Sequence, residues 1–116
     1  MEDSILVSIK NTRGLVSEYT PFDEALIMYI NMALSTLTQL GVGPSTGFRI
    51  TGDSETWDEF IDTNDPRLEM VKAYVDMRVH LIFDPPGIGA VMTSLQEMIK
   101  EYESRINYMV DPGGES

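Results

Sequence analysis

The stretch of sequence that decides the fold is TPFDEALIMYINMALSTLTQLG, residues 20–41. Its apolar side chains recur at intervals of three and four residues, which places them on one side of a helix. The residues of this stripe are Phe22, Leu26, Ile30, Ala33, Leu37 and Leu40. Thr20 is a suitable N-cap, Pro21 is favoured in a first turn and Gly41 ends the pattern. The stretch therefore predicts an amphipathic helix of about five turns, with Asn31 on its polar side.

A shorter helix is predicted before this one, over residues 4–13. Asp3 fits its N-cap, and Gly14 supplies the left-handed residue that commonly follows a helix end. Lys10 lies in the last turn, where a positive charge opposes the helix dipole. The β-branched content of residues 5–7 also suits a strand, so that alternative stays open from the sequence alone.

Two longer helices are predicted in the second half of the chain. Asp65 and Pro66 open the third helix as N-cap and first-turn proline, and Pro85 stops it because proline cannot continue the hydrogen-bond ladder. The fourth helix runs from about residue 88 to residue 109, where apolar residues follow a spacing close to a heptad.

Residues 41–65, between the second and third helices, are irregular and rich in glycine. Residues 48–50 fit either a short strand or an extended stretch. Residues 56–61 fit one or two helical turns, with three apolar side chains turned inward, Trp57, Phe60 and Ile61.

These features together predict an all-α fold. It is a small bundle of about four helices with an irregular, Gly-rich middle segment that could hold a short strand. Residues 1–110 are expected to form a single helical domain, and residues 111–116 a flexible C-terminal tail.

The composition excludes several kinds of site and of partner. The 116 residues include 19 Asp and Glu, 8 Lys and Arg, one His and no Cys, for a net charge of −11. Without cysteine there is no disulfide scaffold, thiolate nucleophile or Cys-ligated zinc. A charge of this sign disfavours binding to DNA, RNA or anionic membranes, and fits either a basic protein patch or a surface that repels nucleic acid.

Targeting signals are not evident either. The longest apolar runs fall well short of a membrane span, and the chain begins with acidic residues rather than the basic ones of a signal peptide. We therefore expect the protein to be made in a reducing cytoplasm.

Catalytic and metal-binding patterns are incomplete. A calcium loop starting at Asp53 would have Asp58 where the required glycine stands. His80 lies at helical spacing from Asp76 and Asp84, but no nucleophile elbow accompanies it, so a helix histidine paired with a carboxylate is the simpler interpretation. We expect no enzymatic activity, cofactor or metal.

Apolar residues on the helices exceed what a small four-helix core needs. Four of them, on the second and third helices, are candidates for a subunit interface because surplus apolar surface indicates a partner or self-association. These residues are Tyr29, Met32, Tyr74 and Met77.

Residues of about 4–110 resemble the head–tail connector, or adaptor, proteins of tailed bacteriophages and prophages. The resemblance includes a short N-terminal helix that ends near Gly14, followed by structural rather than catalytic motifs. In chain order these are Tyr19-Thr20 with Phe22-Asp23, LTQLGVGP at 37–44, Gly47-Phe48, Thr56-Trp57 with Phe60, Val71-Lys72 with Tyr74-Val75, and LIFDPP at 81–86.

This resemblance implies a non-enzymatic virion subunit that assembles into a homo-oligomeric ring of about a dozen copies below the portal. The ring would extend the DNA channel and dock the next connector or tail-completion protein. DNA would pass through without specific binding, and no membrane is involved. The expected location is the head–tail interface of the virion, with assembly in the host cytoplasm.

Two sets of site residues follow from this resemblance. The C-terminal part of the last helix and the tail would reach the portal, which makes Ile106, Tyr108, Met109 and Asp111 candidate portal contacts. The acidic segment would face the channel, because carboxylates repel the phosphates of passing DNA. Its candidate channel-facing residues are Asp53, Glu55, Asp58, Glu59 and Asp62.

An alternative of another class is an acidic helical regulatory protein that binds a basic site on a host or phage enzyme, in the manner of a DNA mimic. The acids concentrate at residues 53–65 instead of covering much of the surface, which disfavours this alternative.

Overall fold

The computed structural model describes the backbone of residues 4–110 and the side chains of residues 4–107. The helices are α1 (Ile5–Thr12), α2 (Asp23–Gln39), α3 (Trp57–Phe60), α4 (Leu68–Phe83) and α5 (Gly89–Val110). No strand forms within the described residues; the one β-bridge pairs Ser4 with Thr56. The predicted all-α bundle is confirmed. The predicted tail, residues 111–116, lies outside the described part.

Helix α4 lies at the centre of the bundle. It packs mainly against α2 and against α5, while α1 lies across α2 and α4. Its buried residues come from more than one face, which is why it serves three neighbours at once. These residues are Val71, Tyr74, Val75, Met77 and Val79.

Helix α1 begins one residue later than the sequence indicates. Asp3 lies outside the described residues, and the N-cap is Ser4, whose hydroxyl oxygen accepts a hydrogen bond from the backbone N–H of Val7 at 3.2 Å. Gly14 has φ = +83°, as expected for the left-handed residue after a helix end. The strand alternative for residues 5–7 is wrong because they form the first turn of this helix.

Lys10 was expected to act on the helix dipole, but it is a buried structural cation. Its ammonium nitrogen lies 2.8 Å from the Asp23 carboxylate and donates to the carbonyl oxygen of Ser17 at 2.9 Å. The side chain is 1% exposed, so the charge depends on these partners for its stabilisation. This pair ties α1 to the start of α2.

The two proline-containing starts form turns before their helices. The backbone N–H of Asp23 donates to the Thr20 carbonyl, and that of Leu68 donates to the Asp65 carbonyl, both at 3.0 Å. Helices α2 and α4 therefore each begin two residues after the prolines that were expected to open them. Asp65 still caps locally, because its carboxylate accepts from the backbone N–H of Arg67 at 2.9 Å.

Asn31 is not a solvent-facing polar residue, which corrects the sequence interpretation. Its side-chain oxygen accepts from the N–H of Ile50 at 2.7 Å, and its amide nitrogen donates to the Ile50 carbonyl at 3.0 Å. One side chain thus satisfies both backbone groups that a neighbouring strand would otherwise pair. This explains how residues 48–50 stay extended without a sheet and how Ile50 becomes fully buried.

The middle segment is anchored on α1, and its three apolar side chains turn inward as the sequence indicates. Trp57, Phe60 and Ile61 are all buried. The Trp57 indole N–H donates to the Ser8 hydroxyl at 3.0 Å, and the N–H of Ile5 donates to the carbonyl of Glu55 at 3.1 Å. These contacts fix where the acidic residues of the segment emerge.

Gly43 and Gly47 provide a matched test of this anchoring. Both have positive φ, +80° and +96°, but only at Gly43 would an added Cβ meet a side chain, the Phe60 ring at 2.5 Å. We expect Gly47→Ala to lower the free energy of unfolding by about 1–2 kcal/mol through backbone strain. Gly43→Ala should cost about 1–3 kcal/mol more, through overpacking. Urea unfolding followed by circular dichroism measures both; equal losses would contradict the observed Gly43–Phe60 contact.

Candidate interaction surfaces

The acidic segment, residues 53–65, is an ordered surface element. Among its candidate channel-facing residues, Glu55 is half-buried and the others are exposed, namely Asp53, Asp58, Glu59 and Asp62. The sequence does not predict that most of these carboxylates also bind their own segment. Glu59 accepts from the N–H of Thr56 at 3.1 Å as part of a capping box, and Asp62 accepts from the N–H of Asn64 at 2.9 Å.

Glu55 closes the loop that precedes α3. One carboxylate oxygen accepts from the N–H of Thr51 at 3.0 Å and from its hydroxyl at 2.7 Å, while the other accepts from the N–H of Gly52 at 3.4 Å. Burial opposes ionisation of this group, but the hydrogen bonds outweigh it and lower the pKa of Glu55 below its ordinary value. Asp53 accepts no hydrogen bond from a described residue. Within the described part, no group of three or more acidic or histidine side chains is arranged to hold a metal ion.

The polar cluster around His80 is an ion-pair network between helices. Arg13 reaches Asp84 at 2.9 Å and Asp76 at 3.5 Å, which ties the end of α1 to α4. The His80 ring nitrogen lies 3.0 Å from the same Asp84 carboxylate. This geometry agrees with the interpretation of His80 as a helix histidine paired with a carboxylate, and every member has a structural partner.

Two of the candidate interface residues belong to the core. Tyr74 is fully buried and Met77 is nearly so, which corrects the prediction that they are surplus to it. They are needed inside because α4 has neighbours on several sides. Tyr29 is half-buried and Met32 is exposed, so they remain candidates for contact with another copy.

Tyr74 joins α4 to α5 through a polar network. Its hydroxyl donates to the Glu103 carboxylate at 2.6 Å and accepts from Arg78 at 2.6 Å. Arg78 also lies 3.6 Å from Glu103 and contacts the Thr36 hydroxyl of α2 at 3.5 Å. Burial, reinforced by the bond to Glu103, raises the pKa of Tyr74 to about 12. The hydroxyl thus stays protonated and keeps donating at neutral pH.

The outward side of α2 forms a shallow groove of about 610 Å³. We call it the α2 groove. Its apolar part consists of Ile27, Met28 and Met32, and Arg49 and Arg78 contribute the positive charge. The sequence pointed to Met32 here but not to Arg49, which reaches the groove because Asn31 holds residues 48–50 alongside α2.

A second exposed apolar surface lies between α1 and α2. We call it the linker patch: Val16, Tyr19 and Phe22, around a hollow of about 300 Å³. The Phe22 ring packs on Tyr19 and, edge to face, on Phe83 of α4, with ring centres 5.8 and 5.2 Å apart. The periodicity of α2 had assigned Phe22 to the core stripe, but α2 begins after it and leaves the ring 41% exposed.

The candidate portal contacts are only partly described. Ile106 is fully buried against the bundle, so its side chain offers no surface to a partner in this conformation. The side chains of Tyr108 and Met109 lie outside the described residues, as does Asp111. The backbone of α5 extends to Val110.

These features define a class of protein: a small helical subunit with exposed apolar surfaces and an acidic loop. No helix among the described residues is long and apolar enough to cross a membrane. The family model described as Phage connector protein matches residues 5–113, nearly the whole chain. The chain therefore belongs to the phage connector protein family and is a structural protein of bacteriophage. No curated protein and no solved structure gave a significant match.

Glu55 and Asp53 allow the structural and electrostatic roles of the segment to be separated. Because the folded-state pKa of Glu55 is lowered, its stabilisation is present above the unfolded pKa and is lost as pH falls below about 4.5. We expect Glu55→Gln to lower the free energy of unfolding by about 1 kcal/mol at pH 7, and the difference to vanish in acid. Asp53→Asn should leave stability within about 0.5 kcal/mol.

Urea midpoints of both variants between pH 3 and pH 7 measure this difference. A pH-independent loss for Glu55→Gln, or an equal loss for Asp53→Asn, would contradict the assigned role of the Glu55 carboxylate.

Proposed function

We propose that the protein forms a homo-oligomeric ring below the portal, where it extends the DNA channel and docks the next connector or tail-completion protein. The observation that carries the proposal is the connector family match over residues 5–113 of an all-α chain. A connector subunit interacts with other phage structural proteins, and a ring subunit needs two complementary sides. The exposed α2 groove and linker patch supply two separate apolar surfaces.

The acidic segment supports the proposal that one face of each copy lines the DNA channel. Of its six carboxylates, only Asp65 pairs with a described basic side chain, Arg67 at 2.6 Å. A channel wall with these carboxylates repels the phosphates of DNA. Because the wall offers few cations to neutralise phosphates, no counterions are released and DNA passes without binding. Asp53, Glu55, Asp58, Glu59 and Asp62 are the residues we assign to this face.

The end of α5 is the proposed portal contact. Burial of Ile106 anchors this part of α5 to the bundle, and the backbone of the helix continues from there to Val110. Tyr108, Met109 and Asp111 are the side chains that we propose for binding the portal, with Ile106 as their support.

The acidic regulator is the weaker alternative. Family membership favours a virion component, and most carboxylates of the acidic segment are hydrogen-bonded to their own segment rather than spread as a free DNA-like surface.

The direct test is to mix the full chain with portal rings of the same phage at about 0.15 M salt and to image the particles by electron microscopy. Salt matters because each copy carries a charge of −11 and copies repel one another. We expect an additional annulus on one end of the portal. Its absence over a range of salt would contradict the proposed function.

A double variant, Tyr108→Ala with Met109→Ala, tests the portal contact in the same assay. We expect it to lose most of the annulus while keeping the helical circular dichroism spectrum. Asp53→Asn is the matched control because it changes one exposed residue that is not part of α5, and it should bind as the original chain does. Equal binding by all three chains would contradict the assignment of the portal contact.

A further inference from the structure

The distribution of ion pairs singles out Arg49. Six of the eight basic side chains form an ion pair with a described acidic residue; the exceptions are Arg49 and Lys100. These two cations have no such partner although the chain has 19 acidic residues. Arg49 lines the α2 groove, and Lys100 lines an adjoining hollow of about 490 Å³ that shares Arg78 with the groove.

The α2 groove combines this charge with exposed apolar side chains. Met28 is 59% exposed and Met32 is 45% exposed, and both lie beside Ile27 on the outward side of the helix. Methionine side chains adapt to the shape of an apolar partner and are common at binding surfaces. One carboxylate, Glu24, also borders the groove. The α2 groove therefore best fits an apolar segment of protein that places one negative charge next to Arg49.

The linker patch has the complementary character. Val16 is 63% exposed, Tyr19 is 44% exposed, and Glu18 stands exposed between them. Glu18 forms no ion pair with a described residue. Five of the nine large apolar side chains that the described part exposes lie in this patch or in the groove. The chain thus carries an exposed apolar patch with an anion and an apolar groove with a cation, neither of which pairs with a described residue.

The two surfaces are formed by different parts of the chain. The linker patch is formed by the connection between α1 and α2, whereas the α2 groove is formed by α2 itself together with Arg49 and Arg78. A contact between two different surfaces of identical copies is heterologous, and it closes into a ring when its rotation divides a full turn.

We propose that the linker patch of one copy docks in the α2 groove of the next, with Val16 and Tyr19 against Met28 and Met32, and with Glu18 facing Arg49. This inference rests on the proposed ring and identifies the side-to-side contact that builds it. The acidic segment takes no part in the contact, so it stays available for the channel. Tyr29 of α2 is half-buried and is not among the residues that line the groove.

Cysteine cross-linking tests the contact directly, because the chain has no cysteine of its own. Val16→Cys and Met28→Cys are prepared as single variants and as a double variant, all at exposed positions. On portal rings under mild oxidation, an equimolar mixture of the single variants should give covalent dimers, whereas each single variant alone should give few. The double variant should give a ladder of multimers up to ring size.

The matched control replaces the groove position by another exposed apolar one, Met98→Cys, on α5. We expect the pair of Val16→Cys and Met98→Cys to cross-link no more than the single variants do. A stronger cross-link through Met98 than through Met28 would overturn the proposed contact.

A charge exchange tests the ion pair separately. Glu18→Arg and Arg49→Glu should each lower the cross-link yield by about fivefold, the upper range for an exposed pair. The two changes together should restore the yield. Lys100→Glu serves as a control that alters the same net charge outside the proposed pair.

The outcomes distinguish this inference from the function on which it rests. If an annulus forms on the portal but the mixture of Val16→Cys and Met28→Cys does not cross-link, the contact is elsewhere and this inference fails alone. If no annulus forms, the proposed function fails and the inference fails with it. Circular dichroism of each variant verifies that the helices are retained.

Discussion

The burial of α4 on several sides is the constraint on which the rest of the structure depends. Val71, Val75 and Val79 are fully buried. The hydroxyl of Tyr74 hydrogen-bonds with Glu103 and Arg78 instead of with water. Every other long helix packs on α4. Because α4 uses most of its apolar surface inside the bundle and exposes only Ile82 among its large apolar side chains, most of the exposed apolar residues of the described part come from the elements around it.

Those elements show how one chain can bury a core and still expose apolar side chains. Helix α2 buries one side against α4 and turns Met28 and Met32 outward, while the α1–α2 linker leaves Val16 and Tyr19 exposed. The buried Lys10–Asp23 pair fixes the linker between its two helices, so its apolar side chains are presented in a defined place. The acidic loop is fixed separately, by its bonds to α1.

The sequence predicts the four main helices and the inward side chains of residues 57–61, because these depend on local spacing and caps. It does not predict the environment of side chains whose contacts are with residues far away in the chain. The sequence places Asn31 on the solvent side, but in the structure its side chain binds the backbone of Ile50. The sequence makes Tyr74 surplus to the core, but in the structure its hydroxyl binds Glu103 of α5. The exposure of Phe22 follows from a helix that begins one residue after it. The acidic residues are plain in the sequence, but their bonds to their own backbone are not.

The most direct measurement of the central claim is a side-chain footprint of the free protein and of the portal-bound assembly. Methionine oxidation and carbodiimide labelling of carboxylates, read by mass spectrometry, report the two kinds of surface in one sample. Our account predicts that Met28 and Met32 are protected on assembly, while Asp53 and Asp58 stay reactive and buried Met77 changes little. Protection of the two carboxylates with Met28 and Met32 still reactive would contradict it.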